Sequence, residues 1–291
     1  MERKIFVLGS LNMDLVIHTP YIPRKGETLT GSDFMTNSGG KGANQAFAAA
    51  KLGGAVCMIG CVGDDAFGAQ LKTNLESAGV VTSYIRHVPN QSSGVAVILI
   101  ENGDNRIILD SGANACLQKE DVDRGLANAK PGDIFLAQLE NPVEIIGYGL
   151  QKAKEKGMTV LLNPAPANRS ILPFLQYVDI LLPNESELEL LGGLEILLSH
   201  GIPTVVTTLG ENGYEIATDK EKRNYACIKV QAVDTTAAGD TLCGSLAMML
   251  AKGEELEKAM AFASKCASLA CTKKGAQQSV PSFEEAIQYR E

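Results

Sequence analysis

The sequence predicts an α/β protein built on a mainly parallel β-sheet. Short β-branched runs alternate with longer amphipathic segments along most of the chain, which is typical of parallel strands joined by crossover helices. Several of the short runs are apolar throughout, as expected for strands that are covered on both faces. The predicted strands of this α/β body are residues 5–8, 55–59, 133–136, 159–162, 179–182 and 204–207.

Helices are predicted in the longer segments between these strands. Their apolar residues recur at helical spacing, which favours helices that pack one face against the sheet. The predicted helices are residues 41–51, 65–77, 143–156, 238–252 and 254–270.

Two regions interrupt this alternation and predict a small additional β-sheet. Residues 15–18 with 27–37, and then residues 94–110, read as strands without intervening helices. In the second region, residues 95–101 and 106–110 flank Asn102-Gly103-Asp104-Asn105, a strong hairpin signal. We therefore predict an α/β body of residues 1–14, 38–92 and 111–291, and a discontinuous projecting sheet of residues 15–37 and 93–110.

The composition restricts the class of protein. The chain has 291 residues with 26 basic and 34 acidic side chains, which gives a formal net charge of −8. A chain of this length buries a full core without disulfides or metals. The acidic balance argues against a general surface for nucleic acid or anionic membrane. No apolar stretch approaches the length of a membrane span, so we expect neither partner.

Cysteine and histidine usage favours a reducing compartment and no multi-histidine metal site. The seven cysteines show no Cys-x-x-Cys spacing, and most lie in apolar runs, so they are predicted to be buried free thiols. Residues 5–8 follow a short charged start and end at Gly9, which does not fit a signal peptide. We therefore expect a cytoplasmic protein. The three histidines are too few for a multi-histidine site.

The most informative segment is Val233-Asp234-Thr235-Thr236-Ala237-Ala238-Gly239-Asp240-Thr241, which precedes an apolar helix. Small residues at a helix start let a ligand approach the backbone, and the free N–H groups there favour an anion. Asp240 beside such a site suits a general base that takes a proton from an attacking hydroxyl. Alternatively, Asp240 only caps the helix, which stabilises it by about 1 kcal/mol.

Three further segments carry candidate polar ligands. In Gly39-Gly40-Lys41-Gly42-Ala43-Asn44, adjacent glycines and polar side chains suit a polyol, although a glycine turn before a helix is the simpler interpretation. Asn12 and Asp14 follow the first predicted strand, where α/β folds often bind ligands, but both residue types also favour turns. Glu140 ends another strand and either binds a sugar hydroxyl or is a solvated loop acid.

Taken together, these segments resemble the ribokinase or PfkB family of carbohydrate kinases. The resemblance extends from Gly9 to about Pro281. Its ordered motifs are Gly-Ser-x-Asn-x-Asp, Gly-Gly-Lys-Gly-Ala-Asn-Gln-Ala, Asn-Pro-Ala-Pro, Asn-Glu-x-Glu, Asp-Thr-x-Ala-Ala-Gly-Asp and Lys-Gly-Ala-Gln-x-Ser-Val-Pro. It implies a three-layer α/β/α fold whose small β-sheet is a lid over the sugar and the contact of a homodimer.

The resemblance also implies ATP-dependent phosphorylation of D-ribose at its 5-hydroxyl, with Mg²⁺ and stimulation by K⁺. Asp240 would be the base, and the backbone of Ala237, Ala238 and Gly239 the anion hole. The implied sugar ligands are Asn12, Asp14, Gly40, Lys41, Asn44, Glu140 and Asp240. The implied nucleotide and magnesium residues are Asn184, Glu187, Thr208, Gly210, Gly213, Gly239 and Ser264. The implied K⁺ ligands are Asp234, Thr236, Ala270, Lys273, Gly275 and Ser279.

Two departures from the family pattern and three alternative functions remain. The segment from Asn184 to Thr208 is about a dozen residues shorter than is usual for the family, and Ser264 stands where Asn or His is more common near the adenine. Within the class, the substrate could be 2-deoxyribose, another pentose or a nucleoside. A non-catalytic sugar or nucleotide sensor on the same fold is a different class. A nucleotide-dependent oxidoreductase is disfavoured because no Gly-x-Gly-x-x-Gly motif is present.

Overall fold

A computed structural model describes residues 3–102 and 104–289. The strands within these ranges belong to two sheets. In chain order they are β1 Lys4–Leu8, β2 Asn12–His18, β3 Ser32–Gly39, β4 Ala55–Gly63, β5 Val81–Val88, β6 Gly94–Glu101, β7 Asp104–Asp110, β8 Ile134–Ala137, β9 Thr159–Leu162, β10 Ile180–Leu181, β11 Thr204–Thr208, β12 Tyr214–Ala217 and β13 Lys222–Tyr225.

Several of the α-helices connect successive strands of the larger sheet. In chain order they are α1 Lys41–Lys51, α2 Ala66–Ser77, α3 Lys119–Gly125, α4 Val143–Glu155, α5 Glu185–Leu190, α6 Leu194–Ser199, α7 Ala238–Ala251, α8 Leu256–Ala270 and α9 Phe283–Gln288. Short 3₁₀ segments lie between several of them.

The larger sheet has the order β13-β12-β11-β10-β9-β8-β1-β4-β5. All of its pairings are parallel except those of β11 with β12 and of β12 with β13. The chain builds outward from β1 on one side through β4 and β5, and then returns to the other side at β8. This reversal beside β1 is the kind of switch point at which open α/β sheets bind ligands, outside the carboxyl ends of the strands.

Helices cover both faces of this sheet, as the apolar strands predict. Ile5 and Val7 of β1 join a core cluster with residues of α1, α7 and α8, whereas Phe6 and Leu8 join a second cluster with residues of α3 and α4. Successive side chains of a strand point to opposite faces, so the two clusters lie on opposite sides of the sheet. The three-layer α/β/α architecture is confirmed.

The second sheet, here called the small sheet, has the order β3-β2-β6-β7. β2 pairs with β6 in parallel, and the other neighbours are antiparallel. Along the chain, β2 follows β1 and β3 precedes α1, whereas β6 and β7 lie between β5 and α3. Every residue of the outer strand β7 is exposed, including Ile107, Ile108 and Leu109.

Several predicted boundaries differ from the structure. The strand at 159–162 and the helix at 41–51 are reproduced, but β5 and the β12–β13 pair were not predicted. β5 is an edge strand that carries polar residues, so its pattern is not that of a fully covered strand. The short α3, α5, α6 and α9 were also not predicted.

The strands of the small sheet also differ from the predicted ranges. β2 starts at Asn12 and β3 ends at Gly39, because Asn12 pairs with both Gly39 and Gly94. Glu101 pairs with Asp104, so β7 begins two residues before the predicted start at Arg106. Gly103 itself lies outside the described residues. The division of the chain into a body and a separate lid domain stays a prediction.

The cysteines are free, as predicted. Cys57, Cys61, Cys243 and Cys266 are buried, but Cys116, Cys227 and Cys271 are partly exposed, which corrects the prediction for those three. Within the described ranges, none of the helices is long and apolar enough to cross a membrane.

Candidate active site

Asp240 lies in the first turn of α7 and is 7% exposed. Its carboxylate accepts hydrogen bonds from Asn44 Nδ2 and from Gln45 Nε2, each at 3.0 Å. Ala237 is the residue that caps α7, and none of the described side chains caps that end. The alternative that Asp240 is only a helix cap is therefore wrong, since its oxygens face α1 instead.

Burial raises the pKa of Asp240 above its ordinary value. The nearby Lys41 ammonium and the two amide donors act in the opposite direction, because they stabilise the carboxylate. A carboxyl group with these neighbours suits a general base, since its proton affinity is greater than that of a solvated aspartate.

The backbone before Asp240 forms an anion-binding helix start. Ala237 adopts a left-handed conformation with φ 58°, which is uncommon for a residue other than glycine, asparagine or aspartate. The N–H groups of Gly239 and Asp240 have no acceptor among the described residues. A Cβ built on Gly239 would lie more than 4 Å from every neighbour that the structure describes. These N–H groups at the positive end of the helix dipole are available to an anion.

A cavity of about 260 Å³ lies in front of this helix start. Its lining comes from the carboxyl ends of several strands and from the starts of α1, α5 and α7. The lining residues are Lys41, Asn163, Ala165, Leu182, Asn184, Glu187, Thr208, Thr235, Ala237, Ala238, Gly239, Asp240 and Cys243. Lys41, Asn184, Glu187 and the predicted anion-hole residues are thus brought together.

Glu140 organises the polar side chains beside Lys41. Its Oε2 accepts hydrogen bonds from Ser10 Oγ at 2.5 Å, from the backbone N–H of Lys41 at 3.1 Å and from Asn12 Nδ2 at 3.4 Å. Glu140 is therefore not the solvated loop acid of the alternative interpretation. Asn12 Oδ1 in turn accepts from Asn114 Nδ2 at 2.8 Å, which fixes the direction of the Asn12 amide.

Asp14 lies on β2 near these groups. Burial, Glu140 and Asp240 together raise the pKa of Asp14 to about 7. A Cβ at Gly39 would lie 2.4 Å from Asp14 Oδ2, so a larger residue there would displace the carboxylate from its position. Gly40 has φ 89°, and a Cβ there would lie 2.7 Å from the Asn12 nitrogen. The paired glycines thus serve both the turn and the close approach.

A second cavity of about 570 Å³ adjoins the first. The two share Thr208, Thr235, Ala238 and Gly239. Most of the predicted nucleotide residues line this second cavity, namely Thr208, Gly210, Gly213, Gly239 and Ser264. Ile228, Ala267 and Ser268 also line it and were not predicted, because they lie outside any motif. Its size and extended lining suit a nucleotide whose phosphates point toward α7.

Asn184 and Glu187 are joined in a capping box at the start of α5. Asn184 Oδ1 accepts from the Glu187 N–H at 2.8 Å, and Glu187 Oε2 accepts from the Asn184 N–H at 2.9 Å. The other carboxylate oxygen of Glu187 is outside the capping box, and Glu187 lines the first cavity. An oxygen donor in this place is chemically suited to Mg²⁺ and its water ligands.

Asp234 contacts two of the residues predicted to hold K⁺. Its carboxylate accepts from the Thr236 N–H and from the Gly275 N–H, each at 2.9 Å. The Ala270 carbonyl accepts from the Lys273 N–H at 3.1 Å, and the Ser279 hydroxyl donates to the Ala276 carbonyl at 2.7 Å. One carboxylate with backbone oxygens is a donor set that fits a hard cation. In the part of the chain that the structure describes, no cluster of three His, Cys, Asp or Glu side chains is placed to hold a metal.

Four side-chain amides near Asp240, three of them buried and Asn163 half-buried, were not among the predicted site residues. Gln45, Gln138 and Asn163 lie on one side of its carboxylate, and Gln277 lies behind Asn44. Each of these amides lies within or beside a motif, so the sequence could have indicated it as a site residue. Its hydrogen-bond partners depend on the tertiary fold and could not be predicted.

Comparison with known proteins identifies close relatives over the full chain. Residues 2–282 match the model described as pfkB family carbohydrate kinase. Ribokinase of Haemophilus influenzae is 38% identical and covers 100% of this chain and 99% of its own. Deoxyribokinase of Salmonella typhimurium is also 38% identical, over 98% of both chains.

Solved structures show the same fold. Ribokinase from Thermotoga maritima superposes with a TM-score of 0.87 at 35% identity, over 98% of both chains. Ribokinase from Arabidopsis thaliana, solved with ribose and ATP, also has a TM-score of 0.87, at 31% identity over 99% of this chain and 98% of its own.

Proposed function

This chain belongs to the pfkB family of carbohydrate kinases, and we propose that it transfers the γ-phosphoryl group of ATP to the 5-hydroxyl of D-ribose. The observation that carries the proposal is the position of Asp240. Its buried carboxylate is bonded to Asn44 and Gln45 of α1, and it lines the same cavity as Lys41 and the start of α7. A hydroxyl held against Asp240 would face a phosphoryl group held by the N–H groups at that helix start.

Sugar binding falls to the polar cluster. This cluster offers carboxylate acceptors and amide or ammonium donors, which match the hydroxyls of a polyol. Its members are Asn12, Asp14, Lys41, Asn44 and Glu140. The Gly40 backbone lies beside these side chains, since a Cβ there would lie 2.7 Å from the Asn12 nitrogen. Together they would hold the sugar so that its 5-hydroxyl meets Asp240.

In the transfer step, Asp240 accepts the proton of the 5-hydroxyl as that oxygen bonds to the γ-phosphorus. The bond from this phosphorus to the β–γ bridging oxygen breaks, and ADP leaves with the electron pair. The N–H groups at Gly239 and Asp240 stabilise charge on the transferring oxygens, whereas the Ala238 N–H already donates to the Thr235 carbonyl at 3.3 Å. The products are ribose 5-phosphate and ADP, and Asp240 later returns its proton to solvent.

Cations would complete the charge balance. Asn184 and Glu187 would hold Mg²⁺ through its waters, and Mg²⁺ bound there neutralises phosphate charge. Asp234 with the carbonyls of Thr236, Ala270, Lys273 and Gly275 and the Ser279 side chain would hold K⁺. A monovalent cation there strengthens the positive potential at the helix start.

The direct test is turnover with defined substrates. The protein is incubated with D-ribose, ATP, Mg²⁺ and K⁺, and ADP is followed, with Asp240→Asn as the control for contaminating kinases. We expect turnover that requires ribose and is lost in the variant. No turnover above that control, from folded protein, would reject the proposal.

A second candidate substrate is 2-deoxyribose. It is favoured by the deoxyribokinase relative, whose identity to this chain equals that of the ribokinase relative at 38%. Comparison of kcat/KM for ribose, 2-deoxyribose and other pentoses decides between them. Sugar binding without any turnover would instead indicate a sensor.

We also propose that the protein is a cytoplasmic homodimer that pairs through the small sheet. The test is to replace the apolar side chains of β7 and to measure the size of the protein in solution. A dimer should then become a monomer.

A further inference from the structure

Two chains of side-chain amides end on the carboxylate of Asp240. In the first, Gln138 Nε2 donates to Gln45 Oε1 at 2.6 Å, and Gln45 Nε2 donates to Asp240 Oδ1 at 3.0 Å. In the second, Gln277 Nε2 donates to Asn44 Oδ1 at 3.0 Å, and Asn44 Nδ2 donates to Asp240 Oδ2 at 3.0 Å. Asn74 Nδ2 donates to Gln277 Oε1 and extends the second chain.

All of these amides are oriented in the same direction. An amide has one acceptor end and one donor end, so a neighbour that donates to the carbonyl forces the NH₂ group to face the other way. Gln138 and Gln277 thereby turn the NH₂ groups of Gln45 and Asn44 toward Asp240. Gln45 also donates to Asn163 Oδ1 at 3.1 Å, which leaves its amide no alternative orientation.

The outermost amide of the first chain is held at a cost in stability. Gln138 is fully buried, and its Oε1 has no hydrogen-bond partner among the described residues. A buried carbonyl oxygen without a donor destabilises a fold. The absence of a side chain at Gly9 makes room for this oxygen, since a Cβ there would lie 2.1 Å from it. The Gln138 amide is nevertheless the donor to Gln45 Oε1, which an apolar side chain at position 138 would leave buried without a partner.

We propose that Gln45 and Gln138 are positioning residues that hold the Asp240 carboxylate oriented and deprotonated for proton abstraction. This inference rests on the proposed function, because it concerns the base of that reaction. Gln45 acts on Asp240 directly, and Gln138 acts through Gln45.

Charged groups on several elements surround Asp240 and act on its pKa in opposite directions. Lys41 faces it from α1, Glu140 from the loop after β8, Asp14 from β2, and the Cys243 thiol from its own helix. Burial and the two carboxylates favour the protonated acid, whereas Lys41 and the amides favour the carboxylate. Loss of an amide donor should therefore raise the pKa of Asp240.

The test uses Gln45→Met and Gln138→Met, which keep the length of the side chain and remove the amide. Gln151→Met is the matched control, since Gln151 donates to Glu155 on the exposed face of α4. Protein labelled with ¹³C at the aspartate carboxyl is titrated by NMR, and the Asp240 signal is assigned by its absence in Asp240→Asn. The pH profile of kcat is measured on the same variants.

We expect the Asp240 titration midpoint to rise in Gln45→Met, to rise less in Gln138→Met, and to stay unchanged in Gln151→Met. Each pH unit of that rise lowers kcat about tenfold on the acid side of its profile. Unchanged midpoints in folded Gln45→Met and Gln138→Met would overturn the inference. If Gln45→Met does not fold, the midpoint of Gln138→Met decides the question. Because the NMR midpoint needs no turnover, shifted midpoints in a protein without kinase activity would reject the proposed function and leave the amide chains supported.

Discussion

The Asn44 side chain of α1 donates a 3.0 Å hydrogen bond to Asp240 of α7, although 196 residues separate them in sequence. The two helices pack closely at this point, since a Cβ on Gly244 would lie 2.4 Å from the Gln45 carbonyl oxygen. The geometry of the proposed base therefore depends on how α1 packs against α7.

Replacing Asp240 should separate catalysis from binding. Asp240→Asn keeps the shape of the side chain but cannot accept a proton, so we expect kcat to fall at least ~10²-fold. Ribose binding, measured by calorimetry, should change little. Asp219→Asn, on an exposed loop, is the control. A near-normal kcat in Asp240→Asn would remove Asp240 from the role of base.

Asp14 should make stability depend on pH. Its pKa is raised to about 7 in the folded protein, so the folded state holds a proton that the unfolded state releases near its ordinary value of 3.8. Stability from this group is therefore present at pH 4 and is lost as the pH rises toward 7. Asp14→Asn should raise Tm at pH 8 and have little effect at pH 4, as measured by calorimetry.

The same substitution should weaken sugar binding, because an amide is a poorer acceptor for hydroxyl donors than a carboxylate. Titration with ribose at pH 8 measures this effect. An equal change of Tm at both pH values would show that Asp14 does not titrate with a raised pKa.

Asp234 should control the response to K⁺. Its carboxylate is the charged member of the proposed cation site and also accepts the N–H groups of Thr236 and Gly275. Asp234→Ala should lower or abolish stimulation by K⁺ in the ADP assay, with Asp219→Ala as the control. A K⁺ dependence equal to that of the wild type would exclude Asp234 as a ligand.

Two glycines of α7 should respond differently to the same added methyl group. Gly244→Ala forces a methyl against α1 and should destabilise the protein by about 1–3 kcal/mol, as measured by denaturant unfolding. Gly239→Ala meets nothing within 4 Å, so its free energy of unfolding should stay near the wild-type value, although its methyl enters the proposed phosphate site. Equal destabilisation by both would contradict the packing described for α1 and α7.

Much of the fold could be predicted because the apolar strands and periodic helices carry local signals. β9 and α1 follow the predicted bounds, since both are bordered by clear changes of residue type. β5 and β13 were missed because an edge strand is stabilised by its one neighbour and needs no continuous apolar run. The starts of β2 and β3 depend on the pairing of Asn12 with Gly39, which is a tertiary contact.

The candidate site was predictable to the extent that its residues lie in motifs. Asp240, Lys41 and Glu140 lie in such segments and line or border one cavity. The orientation of Gln45 and Gln277 was not predictable, because it is set by partners that lie 93 and 203 residues away in sequence. Likewise, the left-handed conformation of Ala237 is imposed by its surroundings, as alanine does not favour it.

Asn12 and Asp14 belong to β2, so the same strand that builds the small sheet also carries two proposed sugar ligands. An engineered exchange of the small sheet with that of another kinase would therefore transplant part of the substrate preference along with the surface. Amino-acid changes in β2 that are selected for another property of the small sheet are constrained in the same way, because β2 also carries the proposed sugar ligands.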